Sequence, residues 1–191
     1  GGFSGIHGII LLGLTTLPAL VTGYLAHHAI KAYLFKPATV ALALAVGGVG
    51  ILLAEKYKPK SRVFELDQMG YLQAFMVGCF QCLSLWPGMS RSASTIIGGL
   101  FSGLDRRTAT EYSFLAAVPV MIAATGYDLL KSWQFLEVQD APFFVVGFVV
   151  SFVSAAVAIK AFIGLVQRWS LAPFAYYRLL IAPIIYLVMV Y

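Results

Sequence analysis

Long apolar runs constrain the fold of this sequence more than any other feature. Five of them are long enough to cross a lipid bilayer, because a spanning helix needs about 20 mainly apolar residues. They are residues 9–26, 38–54, 109–130, 142–165 and 173–191. The sequence is 60% hydrophobic and 11% charged, and a soluble chain of this size could not hide so much apolar surface from water. We therefore predict an all-α integral membrane protein that forms a single polytopic domain over residues 1–191.

A sixth apolar region, residues 71–104, does not form one continuous span. Residues 71–86 make a short apolar piece, Pro87-Gly88 interrupt it, and a second short piece follows over residues 92–104. Neither half is long enough to cross a bilayer on its own. Two short halves around a Pro-Gly break predict a re-entrant helix–loop–helix that enters and leaves the membrane on the same side.

The basic residues of the connecting loops support this topology, because cytoplasmic loops collect Lys and Arg. With a re-entrant hairpin, seven basic residues share one face and three lie opposite, whereas a single crossing gives five on each face. The seven are Lys56, Lys58, Lys60, Arg62, Arg106, Arg107 and Arg168. The asymmetric arrangement places residues 55–70 in the cytoplasm and the C-terminus outside. Because these charges flank membrane spans, the net charge of +5 indicates topology and no nucleic-acid partner.

The polar chemistry of the sequence is concentrated at the Pro-Gly break. One guanidinium, that of Arg91, lies at the predicted membrane depth together with four hydroxyls: Ser90, Ser92, Ser94 and Thr95. Ser90 is predicted to cap the next helix and to leave free N–H groups near its start. A helix N-terminus beside an Arg fork suits a phosphate anion, and a hydroxyl there can donate to phosphoryl oxygens or act as a nucleophile.

Two arginines in apolar surroundings have alternative interpretations. Arg91 could instead only cap carbonyl groups of a neighbouring helix, with the serines allowing close packing. Arg178 lies inside the last predicted span, where a charge is functional by default. The alternative for Arg178 is an ion pair with Glu111 or Asp128.

Residues 87–95 read Pro-Gly-Met-Ser-Arg-Ser-Ala-Ser-Thr and match the P-G-x-S-R-S-x-x-T signature of the bacterial undecaprenyl-diphosphate phosphatases. Residues 74–83 and 111–119 also resemble that family, and the resemblance extends over nearly the whole chain. It implies a hydrolase of the bacterial plasma membrane that removes the terminal phosphate of the C55 polyprenyl diphosphate carrier. This reaction regenerates the lipid phosphate for cell-wall synthesis and is associated with bacitracin resistance. The implied fold is an inverted repeat, of which this chain resembles the C-terminal part.

The resemblance also assigns roles to residues of the motif. It implies that Arg91 clamps the diphosphate, that Ser90 is the nucleophile or a phosphate ligand, and that Thr95 is a supporting hydroxyl. Gly88 and Ser92 are the further residues expected to contact the substrate.

One motif of the family is absent from this sequence. That motif is an acidic E-x-x-x-E followed by serines and a His, and the family carries it in an N-terminal re-entrant hairpin. Its glutamates are the expected ligands of a divalent cation, Mg²⁺ or Ca²⁺, or the acid–base pair of the reaction. We therefore expect a divalent cation as cofactor but no metal ligand within residues 1–191. These 191 residues would hold half of the active site.

Two other functions compete with hydrolysis by this family. The first is that of a lipid phosphatase of the vanadate-sensitive acid-phosphatase superfamily, which needs a His six residues after the motif Arg. This sequence has Ile97 at that position, which argues against that function. A transporter, flippase or binder of a phosphorylated polyprenyl lipid would also use a broken helix with an anion-binding N-terminus. The expected partners are the lipid bilayer and a polyprenyl diphosphate, and a second copy of the chain is a further candidate.

Overall fold

The computed structural model of the protein describes residues 3, 5–135 and 138–190. Most of these residues lie in seven helices. They are α1 (Gly5–Leu25), α2 (Pro37–Tyr57), α3 (Tyr71–Gln81), α4 (Arg91–Phe101), α5 (Arg106–Ser132), α6 (Ala141–Arg168) and α7 (Ala172–Val190). Among the described residues, extended pairing is limited to an isolated β-bridge between Val63 and Leu104. The predicted all-α class is confirmed.

Five of these helices are long and apolar enough to cross a membrane. In the described part of the chain they are α1, α2, α5, α6 and α7, which correspond to the five apolar runs of the sequence. The chain is therefore a multi-pass membrane protein. The last predicted span extends to Tyr191, which lies outside the described residues.

The helices α2 and α7 pack closely because α2 presents glycine to its neighbour. A Cβ atom placed on Gly48 would lie 3.0 Å from Cγ of Leu179 and 3.1 Å from the backbone oxygen of Ala175. Such a distance is shorter than ordinary van der Waals contact, so a larger residue here would push the two helices apart. Small residues commonly mediate this kind of close approach between membrane helices.

The helix α6 lies at the periphery of the bundle. Among its described side chains, Val166 is the one that is buried, and large residues such as Phe143, Phe148 and Phe152 are exposed. A helix that is apolar on all sides yet unpacked is expected to face lipid. The core gathers mainly residues of α1 to α5, together with Ala175 of α7 and Val166 of α6.

Residues 71–104 have the geometry of a hairpin that returns to its starting side. The helices α3 and α4 each have 11 residues and so span about 16 Å, roughly half of the hydrocarbon thickness. The segments flanking the two helices are hydrogen-bonded to each other. The N–H groups of Arg62 and Val63 donate to the Gly103 oxygen at 2.7 and 3.1 Å, and Asp105 N–H donates to the Val63 oxygen at 2.9 Å.

Glu55 joins three helix ends on the side where the hairpin begins and ends. It lies within α2, which continues to Tyr57, so the predicted loop starts later than residue 55. Its carboxylate accepts from Nε and Nη2 of Arg106 at 3.1 and 2.6 Å, from Nζ of Lys58 at 3.0 Å, and from the Leu171 N–H at 3.0 Å. The end of α2, the start of α5 and the α6–α7 connection therefore lie on one face, in agreement with the charge asymmetry of the sequence.

We predict that Glu55→Ala destabilises the protein in detergent. The substitution leaves Arg106 and the Leu171 N–H without their acceptor, and an unsatisfied buried partner costs about 1–3 kcal/mol of unfolding free energy. Thermal or denaturant unfolding of the purified protein measures the loss. Glu111→Ala is the matched control, because Glu111 pairs with the exposed Arg107 four residues away and exposed pairs contribute little. Equal stability of the two variants would contradict the joining role of Glu55.

Candidate functional site

The connection between α3 and α4 has two residues with left-handed backbone. Gly88 has φ of 96°, and Ser90 has φ of 72° with ψ of 113°. A left-handed conformation is uncommon for a residue with a side chain, and conformations of this kind cost of the order of 1–3 kcal/mol unless the surroundings impose them. Ser90 is nevertheless the N-cap of α4, as the sequence predicts, because its Oγ accepts a hydrogen bond from Ala93 N–H at 3.3 Å.

Arg178 of α7 holds this connection in place. Its Nη2 donates to the backbone oxygens of Gly88 and Met89 at 2.7 and 3.0 Å, and Nε donates to the oxygen of Leu44 in α2 at 3.3 Å. A further contact joins Nη2 to the Ala43 oxygen at 3.4 Å. The guanidinium thus bridges α2 and the connection that carries Ser90.

The predicted ion pair of Arg178 with Glu111 or Asp128 is wrong. Glu111 instead accepts from Nε of Arg107 at 2.7 Å, one helical turn away on α5. Arg178 donates to backbone carbonyl groups, and within the described residues it makes no salt bridge with a carboxylate. The sequence could not reveal these partners, because carbonyl groups leave no trace in residue identity.

Arg91 and Thr95 point toward α5, where both contact Ser113. Nη1 of Arg91 donates to the Ser113 backbone oxygen at 2.8 Å, and Oγ1 of Thr95 lies 2.7 Å from Oγ of Ser113. The interpretation of Arg91 as a cap for a carbonyl of a neighbouring helix therefore describes one of its contacts. In the described part of the chain this contact uses one of the five N–H groups of the guanidinium. Thr95 is only 1% exposed, which fits a supporting hydroxyl.

A cavity of about 140 Å³ lies beside the start of α4. Its polar lining comes from Ser90, Ser92, Tyr177 and Arg178, and its apolar walls include Phe162 of α6. Among the described residues, neither Arg91 nor Thr95 lines this cavity. The structure therefore brings two of the predicted hydroxyls together with Arg178, while the guanidinium predicted to act with them faces another helix.

The cavity offers hydrogen-bond donors. Beside it, the first turn of α4 has two backbone N–H groups, those of Arg91 and Ser92, that have no acceptor within the described residues, and of these two residues Ser92 lines the cavity. Oγ of Ser92 lies 3.3 Å from Oγ of Ser90, so one hydroxyl can orient the other. Donors of this kind around a helix N-terminus favour an anion with several acceptor oxygens. A larger groove of about 650 Å³ between α2 and α7 has an almost wholly apolar lining.

The described residues do not fit a divalent cation at this site. Mg²⁺ and Ca²⁺ bind carboxylate, carbonyl and water oxygens, whereas the cavity carries a guanidinium that repels a cation. In the ranges that the structure describes, no group of three or more His, Cys, Asp or Glu residues could hold a metal ion. The roles derived below therefore use only anion-binding groups.

Comparison with known proteins identifies close relatives. Residues 4–184 match the family described as bacitracin resistance protein BacA. An undecaprenyl-diphosphatase of Nitratidesulfovibrio vulgaris is 58% identical over 189 residues, which cover 99% of this chain and 71% of that protein. Proteins of the same name from Desulfovibrio desulfuricans and Oleidesulfovibrio alaskensis are 56% and 52% identical, over 98% of this chain and 71% of each relative.

We predict that Gly88→Ala destabilises the connection between α3 and α4. A Cβ at this position would lie 2.6 Å from the Val40 oxygen, and the left-handed backbone is strained for Ala. The expected loss of unfolding free energy is at least about 1 kcal/mol, measured as a lower unfolding temperature in detergent. Gly126→Ala is the control, because a Cβ on Gly126 meets no atom within 4 Å among the described residues. An unfolding temperature equal to that of the parent protein would contradict the geometry assigned to Gly88.

Proposed function

The chain belongs to the bacitracin resistance protein BacA family, and we propose that it hydrolyses undecaprenyl diphosphate to undecaprenyl phosphate and inorganic phosphate. Relatives that share 52–58% identity with it carry the name of this activity. The observation that carries the proposal is the cavity at the start of α4, where Ser90, Ser92 and Arg178 surround the end of a broken membrane helix. A phosphoryl group is the anion that suits these donors.

The apolar surface of the protein matches a polyprenyl substrate. Five helices are long and apolar enough to cross a membrane, and the cavity at the start of α4 has mainly apolar walls, so a lipid can reach this site without its tail entering water. We place the protein in the bacterial plasma membrane, where its carrier lipid serves cell-wall synthesis. Reuse of the carrier requires removal of one phosphate, which hydrolysis of the terminal anhydride achieves. A homodimer is a further element of the proposal, and the mass of the detergent-solubilised protein tests it.

Arg91 is proposed as a clamp for the diphosphate. Its guanidinium is half-buried and is fixed on one side by the Ser113 oxygen, which leaves further N–H groups for phosphate oxygens. A planar fork with parallel donors matches the oxygens of a phosphate better than a single ammonium group does. Because Arg91 is also the first residue of α4, its backbone N–H lies in the same anion-binding first turn.

Ser90 is proposed as the nucleophile or as a phosphate ligand. As a nucleophile, its Oγ would bond to the terminal phosphorus while the bond from that phosphorus to the bridging oxygen breaks. The hydroxyl proton would pass to water, and the products would be a phosphoserine and undecaprenyl phosphate. A second water would then hydrolyse the phosphoserine, which restores the Ser90 hydroxyl and releases inorganic phosphate. As a ligand, the same hydroxyl would donate to a phosphoryl oxygen while water attacks. In both cases Ser90 acts as a residue that lines the cavity.

A divalent cation stays an expectation of the family resemblance. When bound, such an ion supplies charge neutralisation at the phosphoryl oxygens. The described residues supply no carboxylate cluster to hold it. Phosphate release after chelation, followed by addition of Mg²⁺ or Ca²⁺, tests the expectation directly.

We predict that Arg91→Ala reduces phosphate release from a polyprenyl diphosphate to less than about a tenth of the parent rate, because it removes a charged donor to the developing phosphoryl charge. The assay uses the purified protein in detergent and measures inorganic phosphate. Arg107→Ala is the matched control, because Arg107 is an exposed arginine on α5 outside the site. More than a tenth of the parent rate would rule out the clamp role. If the protein in liposomes moves the intact diphosphate lipid across the membrane without releasing phosphate, it is a transporter.

We predict that Ser90→Ala lowers phosphate release at least about tenfold, because a positioned hydroxyl that contacts the phosphoryl group is lost. Ser102→Ala is the control, because Oγ of Ser102 donates to Gly98 at the other end of α4. Acid quenching of the parent protein during turnover, followed by mass spectrometry of the peptide that contains Ser90, then separates the two roles. A phosphoserine at Ser90 shows nucleophilic attack, and its absence with the same loss of rate shows hydrogen bonding. A parent-like rate would contradict both roles.

A further inference from the structure

Arg178 has one edge of its guanidinium bound to the protein and the other edge unused. We propose that Arg178 is a second phosphate-binding residue of the site and that it binds a phosphoryl oxygen with Nη1 in the cavity shared with Ser90 and Ser92. The same side chain holds the connection that carries Ser90. The identity of the ligand as a diphosphate rests on the proposed function.

The bonded edge of Arg178 fixes the side chain before any ligand arrives. Nε and Nη2 donate to the backbone oxygens of four residues, Ala43, Leu44, Gly88 and Met89. The residue is 8% exposed, so little freedom remains for the guanidinium to lose on binding. A donor that is already ordered binds an anion without the entropic cost of ordering a long side chain.

The other edge of Arg178 is available to a ligand. Within the described residues Nη1 makes no hydrogen bond, and it is not among the fully enclosed polar atoms that lack a partner. Arg178 itself lines the 140 Å³ cavity. Nη1 is therefore the guanidinium nitrogen that can donate to a ligand in the space that Ser90 and Ser92 also border.

The charge of Arg178 requires compensation that carbonyl groups do not give. A charged side chain inside a membrane protein is costly, so a partner of opposite charge is expected. Two described carboxylates already form salt bridges with other residues. Glu55 of α2 pairs with Arg106 and Lys58, and Glu111 of α5 pairs with Arg107. An anion in the cavity would supply the missing negative charge.

The two arginines lie on different sides of the start of α4. Arg91 is bonded to Ser113 of α5, and Arg178 reaches the connection from α7. A diphosphate has two phosphoryl groups and many acceptor oxygens, so two guanidinium groups can contact it from separate helices. Because α7 follows the motif by about 80 residues of sequence, this second contact lies outside the nine-residue signature.

Gly47 provides a way to disturb Arg178 without replacing it. A Cβ on Gly47 would overlap Nη2 of Arg178 and lie 3.0 Å from its Cζ. Gly47→Ala must therefore displace the guanidinium while leaving its charge in the protein. Gly50→Ala is the matched control on the same helix, because a Cβ there meets only Cδ1 of Ile97, at 4.0 Å.

The test compares Arg178→Gln, Arg178→Lys, Gly47→Ala and Gly50→Ala in the purified protein. One readout is the concentration of inorganic pyrophosphate that gives half of the maximal thermal stabilisation, which does not depend on turnover. The other is kcat and KM for phosphate release from a polyprenyl diphosphate. A residue with a purely structural role would lower stability or kcat but would leave anion affinity unchanged.

We expect Arg178→Gln to raise both the half-stabilising pyrophosphate concentration and KM by about tenfold or more, the loss expected for one charged hydrogen bond. Gly47→Ala should weaken pyrophosphate binding in the same direction, and Gly50→Ala should match the parent. Arg178→Lys should restore part of the affinity and less of kcat, because one ammonium group cannot hold the connection and the ligand together. If Arg178→Gln does not fold, Gly47→Ala decides the question.

Unchanged pyrophosphate binding and unchanged KM in Arg178→Gln and Gly47→Ala would overturn the proposal, even if kcat falls. The absence of any pyrophosphate stabilisation in the parent would also overturn it. Failure of the proposed function gives a different pattern. In that case the parent protein binds pyrophosphate through Arg178 but releases no phosphate from the lipid.

Discussion

A backbone that breaks inside a membrane must find all of its hydrogen-bond partners within the protein, because lipid offers none. The connection between α3 and α4 is such a break, and its neighbours supply partners for its carbonyl groups. Arg178 bonds the carbonyl groups of Gly88 and Met89, and Nε1 of Trp86 donates to the Thr39 oxygen of α2 at 3.1 Å. The connection can therefore exist only where α2 and α7 lie against it. The close packing at Gly48 brings these two helices together.

This constraint also explains why the site is suited to an anion. At an interrupted helix, the carbonyl oxygens of the connection accept hydrogen bonds from donors of neighbouring helices. The N–H groups at the start of the next helix have no such partner within the helix. Once Ser90 has capped α4, the N–H groups of its first turn and the unused edge of Arg178 remain. A hydroxyl-rich motif adds further donors without adding negative charge. The interruption of the helix and the donors suited to a phosphate thus belong to one local arrangement.

Much of the fold could be predicted from local sequence, whereas the orientation of the site residues could not. Apolar length predicted the five spans, the Pro87-Gly88 break predicted the hairpin, and the hydroxyl before Arg91 predicted the cap at Ser90. Those features depend on residues close in sequence. The contact of Arg91 with Ser113 and that of Arg178 with Gly88 depend on which helices are neighbours and how each is rotated. A charge within the last span was the one available signal for Arg178, and it could not distinguish a carboxylate partner from carbonyl partners.

The exposure of α6 has a consequence for how its sequence can change over evolutionary time. Because residues 141–158 of this helix are exposed throughout, exchange of one apolar residue for another along that stretch alters almost no packing. Selection there acts on hydrophobicity and length alone, since lipid tails accept any apolar shape. Gly48 and Gly47 of α2 tolerate less change, because a methyl group added there meets α7 or the guanidinium of Arg178. Mutations should therefore accumulate much faster in α6 than in α2, although both are apolar spans of the same protein.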